Sequence, residues 1–204
     1  GDTPPVMLSD NARVASLSYT AGEEVESLTS AQISALNSAR SLTITLPCGA
    51  PEGQALSATP SAASDKATLS GVTGGSLTGG KGSVSFSVTA EDSSSVSYTL
   101  NFKTENHTYS QFTDNANGTH TALCDKCANP FTEDHHISYT EETDGTHTLN
   151  CAECDFTSNE KHTYTYTNSG EHTHTGNCVC GNTVSADCEY EYTKTDEENH
   201  SAVC

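Results

Sequence analysis

Cysteine and histidine recur on one beat through the second half of this chain. The run His120-Thr-Ala-Leu-Cys124-Asp-Lys-Cys127 is followed by His147-Thr-Leu-Asn-Cys151-Ala-Glu-Cys154. Then come His174-Thr-Gly-Asn-Cys178-Val-Cys180 and His200-Ser-Ala-Val-Cys204. The leading histidines fall 27, 27 and 26 residues apart, and the short interval matches the residue lost when Cys-x-x-Cys becomes Cys-x-Cys. A further donor keeps the same time: seven residues separate Cys127 from His135, Cys154 from His162 and Cys180 from Cys188. His107 stands at the corresponding place before the first unit. Thiolate and imidazole in mixed fours are what zinc takes into closed, tetrahedral sites. Cys188 fills a histidine's slot, a swap zinc accepts. A core histidine has no reason to be replaced by cysteine in register, and a disulfide cysteine has none to alternate with histidine. About three four-ligand zinc sets are expected.

How the donors group is left open by spacing. The histidine four places before each knuckle would lie about 13 Å from the first cysteine on a regular strand, at ~3.3 Å per residue. Zinc needs every donor within about 2.0–2.3 Å. Either the strand bulges or that histidine serves a site shared with a neighbour. One grouping is His135, His147, Cys151 and Cys154 within a unit; the other is His147, Cys151, Cys154 and His162 across a boundary. His136 and His172 fall off the beat and read as surface histidines.

The elements that must carry these donors read as β-hairpins. Ile137, Tyr164 and Tyr190 lie two residues after the lead donor, and Tyr139, Tyr166 and Tyr192 four residues after it. Turn sequences follow at Asn115–Gly118, Thr143–Gly145 and Asn168–Gly170, and a returning strand leads into the cysteines. A turn at Thr143–Thr146 sets His135 opposite Cys154. From Glu105 onward there are only nine large aliphatic or phenylalanine side chains and six tyrosines. That is too few to offset chain entropy of roughly 1–2 kcal/mol per residue. Something other than a core must staple this half, and eight of the nine cysteines lie in it.

The first hundred residues alternate with a period of two, the pattern of half-buried strands. Leu42, Ile44 and Leu46 form one run; Val84, Phe86 and Val88 form a hairpin with Val96, Tyr98, Leu100 and Phe102. Leu17 and Tyr19 suggest a first strand, residues 55–59 and 67–70 shorter ones, and Thr29 or Ser30 caps a short helix carrying Ile33 and Leu36. The fold expected is all-β: a β-sandwich over 10–103 after a tail at 1–9, then tandem metal-stapled β-hairpin repeats over 104–204. Cys48, alone beyond Pro47, reads as an ordinary free thiol. Gly75–Lys81 has the glycines and lysine of a phosphate-binding loop, but Gly82 replaces the magnesium-binding hydroxyl and a strand follows, so a flexible loop is expected.

The segment "ITLPCGA…LSATPS…GSVSFSVTAEDSSSVSYTLNF" resembles the immunoglobulin-like or cadherin-like sandwich modules of bacterial surface proteins, with Ser93 in a glycine position of their "VTAEDG…YTVNF" hairpin. "GTHTALCDKC" and "GTHTLNCAEC" resemble the zinc-ribbon-like tandem units of surface proteins from anaerobic gut bacteria; "GEHTHTGNCVCG" departs in its shortened knuckle. The resemblance implies an exported, cell-surface bacterial protein with a structural or binding role and brings no reaction with it.

Charge narrows the partners. The net charge is −19, and after Thr104 eighteen acidic residues face three basic ones. Such a surface repels phosphate backbones, so nucleic acid is excluded as a partner, and an anionic membrane is disfavoured. No apolar run is long enough to span a membrane. Gly1–Pro5 reads as a processed end, and Cys204 as a cut. No catalytic constellation stands out, and the function expected is a non-catalytic surface module contacting an unidentified protein or glycan. Zinc scavenging or sensing, and a disulfide-stapled adhesion repeat, are the alternatives.

Overall fold

The computed structural model describes residues 4–170, 172–189, 191–197 and 200–203. The first nine elements run β1 (Val14–Ala21), β2 (Glu24–Ser27), α1 (Ser30–Ala39), β3 (Ser41–Leu46), β4 (Ala55–Ala62), β5 (Thr68–Thr73), β6 (Gly75–Ser76), β7 (Lys81–Thr89) and β8 (Ser95–Thr104). They form two four-stranded sheets, ordered β2-β1-β4-β6 and β3-β8-β7-β5. Alternation decides which face turns inward: Val84, Phe86 and Val88 on β7, and Tyr98, Leu100 and Phe102 on β8, are buried while their neighbours are not. Leu17 and Leu56 of the other sheet join them in one core. Each such side chain contributes about 1.5–3 kcal/mol by burial.

The helix begins where its cap chemistry dictates. Thr29 accepts from Gln32 N–H, and the Gln32 side chain accepts from Thr29 N–H, a capping box. Leu36 is fully buried, and Asn37 accepts from Val14 N–H and donates to Val14 O, tying the helix to β1. The β7–β8 hairpin turns through Ser93 at φ 72°, a left-handed residue where glycine is favoured. The glycine-rich loop is a tight turn, whose Gly79 and Gly80 N–H groups donate to the Glu52 carboxylate. Those amides are thus already engaged by an anion, and β7 follows directly.

Two features are absent from the alternating pattern. β2 is exposed throughout, so burial leaves no mark on its sequence. β3 pairs with β8 in parallel, Leu46 beside Thr104. Either orientation of β3 would bury Ile44 and Leu46, which is why alternation cannot decide it.

The second half contains β9 (Phe112–Asp114), β10 (Thr119–Leu123), β11 (Pro130–Asp134), β12 (Ile137–Glu141), β13 (Thr146–Cys151), β14 (Thr157–Lys161), β15 (Thr165–Asn168), β16 (Thr173–Asn177), β17 (Thr183–Asp187), β18 (Glu191–Lys194) and β19 (His200–Val203). The expected hairpins form as β9-β10, β12-β13, β15-β16 and β18-β19, and in the first three a further strand joins the returning one, giving three-stranded antiparallel sheets with β10, β13 and β16 central. The chain after each knuckle folds back along the free edge of the returning strand and satisfies its backbone groups. The polar strands Pro130–Asp134 and Thr157–Lys161 carry no apolar alternation, so nothing in their composition announces them. The chain divides into two compact units: residues 1–108 with 125–129, and residues 109–124 with 130–204.

Candidate metal centres

The first two three-stranded sheets each carry two histidines at fixed places, and the third carries His174 with Cys188 in the second place. In the first, His120 lies on the central strand β10 and His135 directly follows β11, where its N–H donates to Gly118 O. In the second, His147 lies on β13 and His162 follows β14, its N–H donating to Gly145 O. The accepting glycines sit in turns at φ 89° and 83°, left-handed positions that glycine alone adopts without strain. The two rings of each pair therefore lie side by side, with centroids 5.3 Å apart for His120 and His135 and 5.4 Å for His147 and His162.

The partner of each histidine pair is the cysteine knuckle of the next sheet. Donor atoms of His120, Cys151 and Cys154 lie within 4.8 Å of one another, as do those of His147, Cys178 and Cys180. His120 Nδ1 is 3.4 Å from Cys151 Sγ, and His147 Nδ1 is 3.6 Å from Cys178 Sγ. The structure thus forms neither grouping that spacing allows. His147 does not meet Cys151, four residues on along its own strand; it meets the knuckle 31 residues away. An extended strand holds His147 and Cys151 too far apart for one ion, whereas stacking successive sheets brings the next knuckle over the histidines. His135 does lie with the knuckle of the following sheet, its ring stacked on Phe156 with centroids 4.4 Å apart.

Burial and hydrogen bonding identify the atoms open to a ligand. His120 and His147 are buried, His120 fully. Nε2 of His120 lies 3.4 Å from Glu133 Oε1, its cross-strand neighbour, so the ring donates there and leaves Nδ1 bare toward Cys151. For His162 a relay fixes the tautomer. Asn182 donates through Nδ2 to Glu141 Oε1 at 2.6 Å, which turns its Oδ1 to accept from the Tyr164 hydroxyl at 2.7 Å. With its proton committed, Tyr164 Oη accepts from His162 Nδ1–H at 3.0 Å. Burial, with the charges of Cys178 and Cys180 next, raises the Tyr164 pKa, so the hydroxyl stays a donor. His162 Nε2 then carries a lone pair, and it is buried with no hydrogen-bond partner. His135 Nε2 is likewise buried without a hydrogen bond, with Asp114 Oδ1 at 3.3 Å. Two buried ring nitrogens without a hydrogen bond thus lie on histidines whose rings neighbour His120 and His147 of the His–Cys–Cys clusters.

The two cysteines of the Cys178–Cys180 knuckle are shifted in opposite directions. The Cys180 backbone N–H does most to hold the Cys178 thiol below its ordinary pKa, assisted by the Cys180 thiol and the N–H groups of Thr163 and Val179, against desolvation. Desolvation is what chiefly raises Cys154 and Cys180. None of the eight described cysteines forms a disulfide.

A third cluster overturns the reading of Cys48. Donor atoms of Cys48, His107, Cys124 and Cys127 lie within 4.8 Å of one another. Cys48 is distant from the others in sequence and falls outside the repeat, so no spacing rule reaches it. Cys188 Sγ lies 3.6 Å from His174 Nδ1. Cys204 and the side chain of His200 lie outside the described residues, as does Tyr190. His136 and His172 are exposed, His136 with Nδ1 3.2 Å from Glu153 Oε1. Among the described residues no helix is long and apolar enough to cross a membrane. No protein family, curated protein or solved structure matches the chain.

Proposed function

We propose that this chain is a non-catalytic, exported or cell-surface module whose second half is held together by structural zinc. The observation that carries the reading is the pair of buried Nε2 atoms of His135 and His162, neither of which makes a hydrogen bond. Each would complete a Cys2His2 set, with His120, Cys151 and Cys154 in one case and His147, Cys178 and Cys180 in the other. Thiolate with imidazole suits zinc and not calcium or magnesium, which take oxygen donors. Four protein donors leave no open position for water, so the sets are suited to stapling sheets rather than to hydrolysis. The sparse apolar content of this half gives the staple its purpose: the apolar core cluster lies wholly between Ala12 and Phe102. A partner at such an acidic surface would be a protein or glycan rather than nucleic acid.

The test is an intact native mass of protein purified without chelator, against its denatured mass. About three zinc ions lost on denaturation, with all thiols then alkylated, is the expected result. A native mass equal to the denatured one, two protons short per cysteine pair, would show a disulfide scaffold and end the metal reading.

A further inference from the structure

We propose that Cys48 is a metal ligand, and that with His107, Cys124 and Cys127 it makes a Cys3His site chemically distinct from the Cys2His2 sets of the repeats. The proposal rests on the metal reading above and adds to it a site outside the repeat, with its own metal preference.

The sandwich builds this site through its parallel pair. β3 and β8 run side by side to Leu46 and Thr104, and Glu105 N–H donates to Leu46 O, one step beyond the last pair. The two strands therefore leave the sheet together, which carries Cys48 and His107 out at the same end. Beyond Pro47 the chain turns back, Ala50 N–H donating to Pro47 O. This holds Cys48 in a tight turn, only 8% exposed. Residues 125–129 belong to the same compact unit and close over the turn. Asp125 N–H donates to Thr108 O, and His107 Nδ1 lies 3.3 Å from Cys127 Sγ. A Cβ at Gly49 would stand 3.0 Å from Cys127 Cβ, so the close approach depends on glycine there. Cys124 is the other cysteine of the same knuckle, and its donor atom completes the cluster. His107 and Cys127 also line an open, polar cleft, which gives an ion a way in.

The repeat explains why a cysteine from elsewhere is needed. The next two knuckles each meet a histidine from the central strand of the sheet before them. The first knuckle has no such sheet before it, and the place 27 residues before His120 is Ser93, inside the sandwich. Cys48 supplies the missing donor. Three thiolates and one imidazole around a divalent ion carry a net charge of −1, against zero for two thiolates and two imidazoles. Softer ions gain most from the extra sulfur, so this site should favour cadmium over zinc more strongly than the others do.

The experiment is cadmium-113 NMR of the whole chain, reconstituted with that ion alone. The expected spectrum has one resonance at the downfield position of three-sulfur coordination, apart from those of the two-sulfur sites. Cys48→Ser should remove that one and leave the others in place. A spectrum with two-sulfur resonances only, or a downfield signal that survives Cys48→Ser, overturns the proposal while leaving the repeat sites intact. No bound cadmium at all overturns the metal reading itself. Should Cys48→Ser fail to fold, alkylation mapping of the unaltered protein decides. Cys48 shielded with metal and alkylated on chelation supports the proposal; equal labelling with and without metal overturns it.

Discussion

Removing one hydroxyl should weaken one metal site and spare the rest. Tyr164 accepts from His162 at 3.0 Å only because its own proton is committed to Asn182 at 2.7 Å. In Tyr164→Phe the imidazole loses the partner that keeps its proton on Nδ1. Either the ring rotates or its proton moves to Nε2, and both outcomes compete with coordination. Outer partners of this kind are worth about 10–100-fold in metal affinity, or ~1.4–2.7 kcal/mol. The preceding sheet has Ile137 at the equivalent place, two residues after His135, so its site has no tyrosine to lose. Competition of the fully loaded protein against a chromophoric chelator should show one ion released at lower chelator activity and the others unchanged. Tyr139→Phe is the control, since Tyr139 packs its ring edge-on to His147 at 5.4 Å. Equal weakening of all ions, or no change in any, would refute the relay and the choice of His162 Nε2 as a donor.

Other expectations follow from single contacts. Chelation of the loaded protein should abolish the protection of backbone amides in β12–β17 from hydrogen exchange while β7 and β8 stay protected, because the apolar core belongs to the sandwich alone; equal loss in both would contradict this. Ser93→Gly relieves a left-handed backbone at φ 72° and should raise the stability of the sandwich by about 0.5–1 kcal/mol in chemical denaturation. Tyr98→Phe strips the Ala12 carbonyl of a buried donor at 2.8 Å and should cost about 1–3 kcal/mol in the same assay. The Ser94 hydroxyl and then its N–H hold the Asp92 carboxyl below its ordinary range. A carboxyl lowered by folding stabilises above its unfolded pKa and loses that contribution as pH falls through the folded one. Acid titration should therefore show a loss of sandwich stability that is smaller in Asp92→Asn.

The sequence by itself determined the residue types of the repeat donors and most of the strands. Mixed cysteine and histidine on a 27-residue beat names the coordination chemistry, because ligand type is a local property. Alternation at 84–88 and 96–102 names the buried faces, because a strand's side chains keep a period of two whatever lies above them. The resemblance of its hairpin places Ser93 at a glycine position, and its backbone is left-handed at φ 72°. What the tertiary structure alone decided is which donors meet. An ion gathers groups within a few ångströms, and along a strand residues four apart are separated by about 13 Å. Proximity therefore comes from stacking one sheet on the next, which delivers His147 to Cys178 and passes over Cys151. The strands β11 and β14 were invisible for a related reason: edge strands with little to bury carry no periodic signal. Cys48 shows the same limit most plainly. Its place in a cluster with His107 depends on a parallel pairing of β3 and β8 that both orientations of the same alternating sequence would allow.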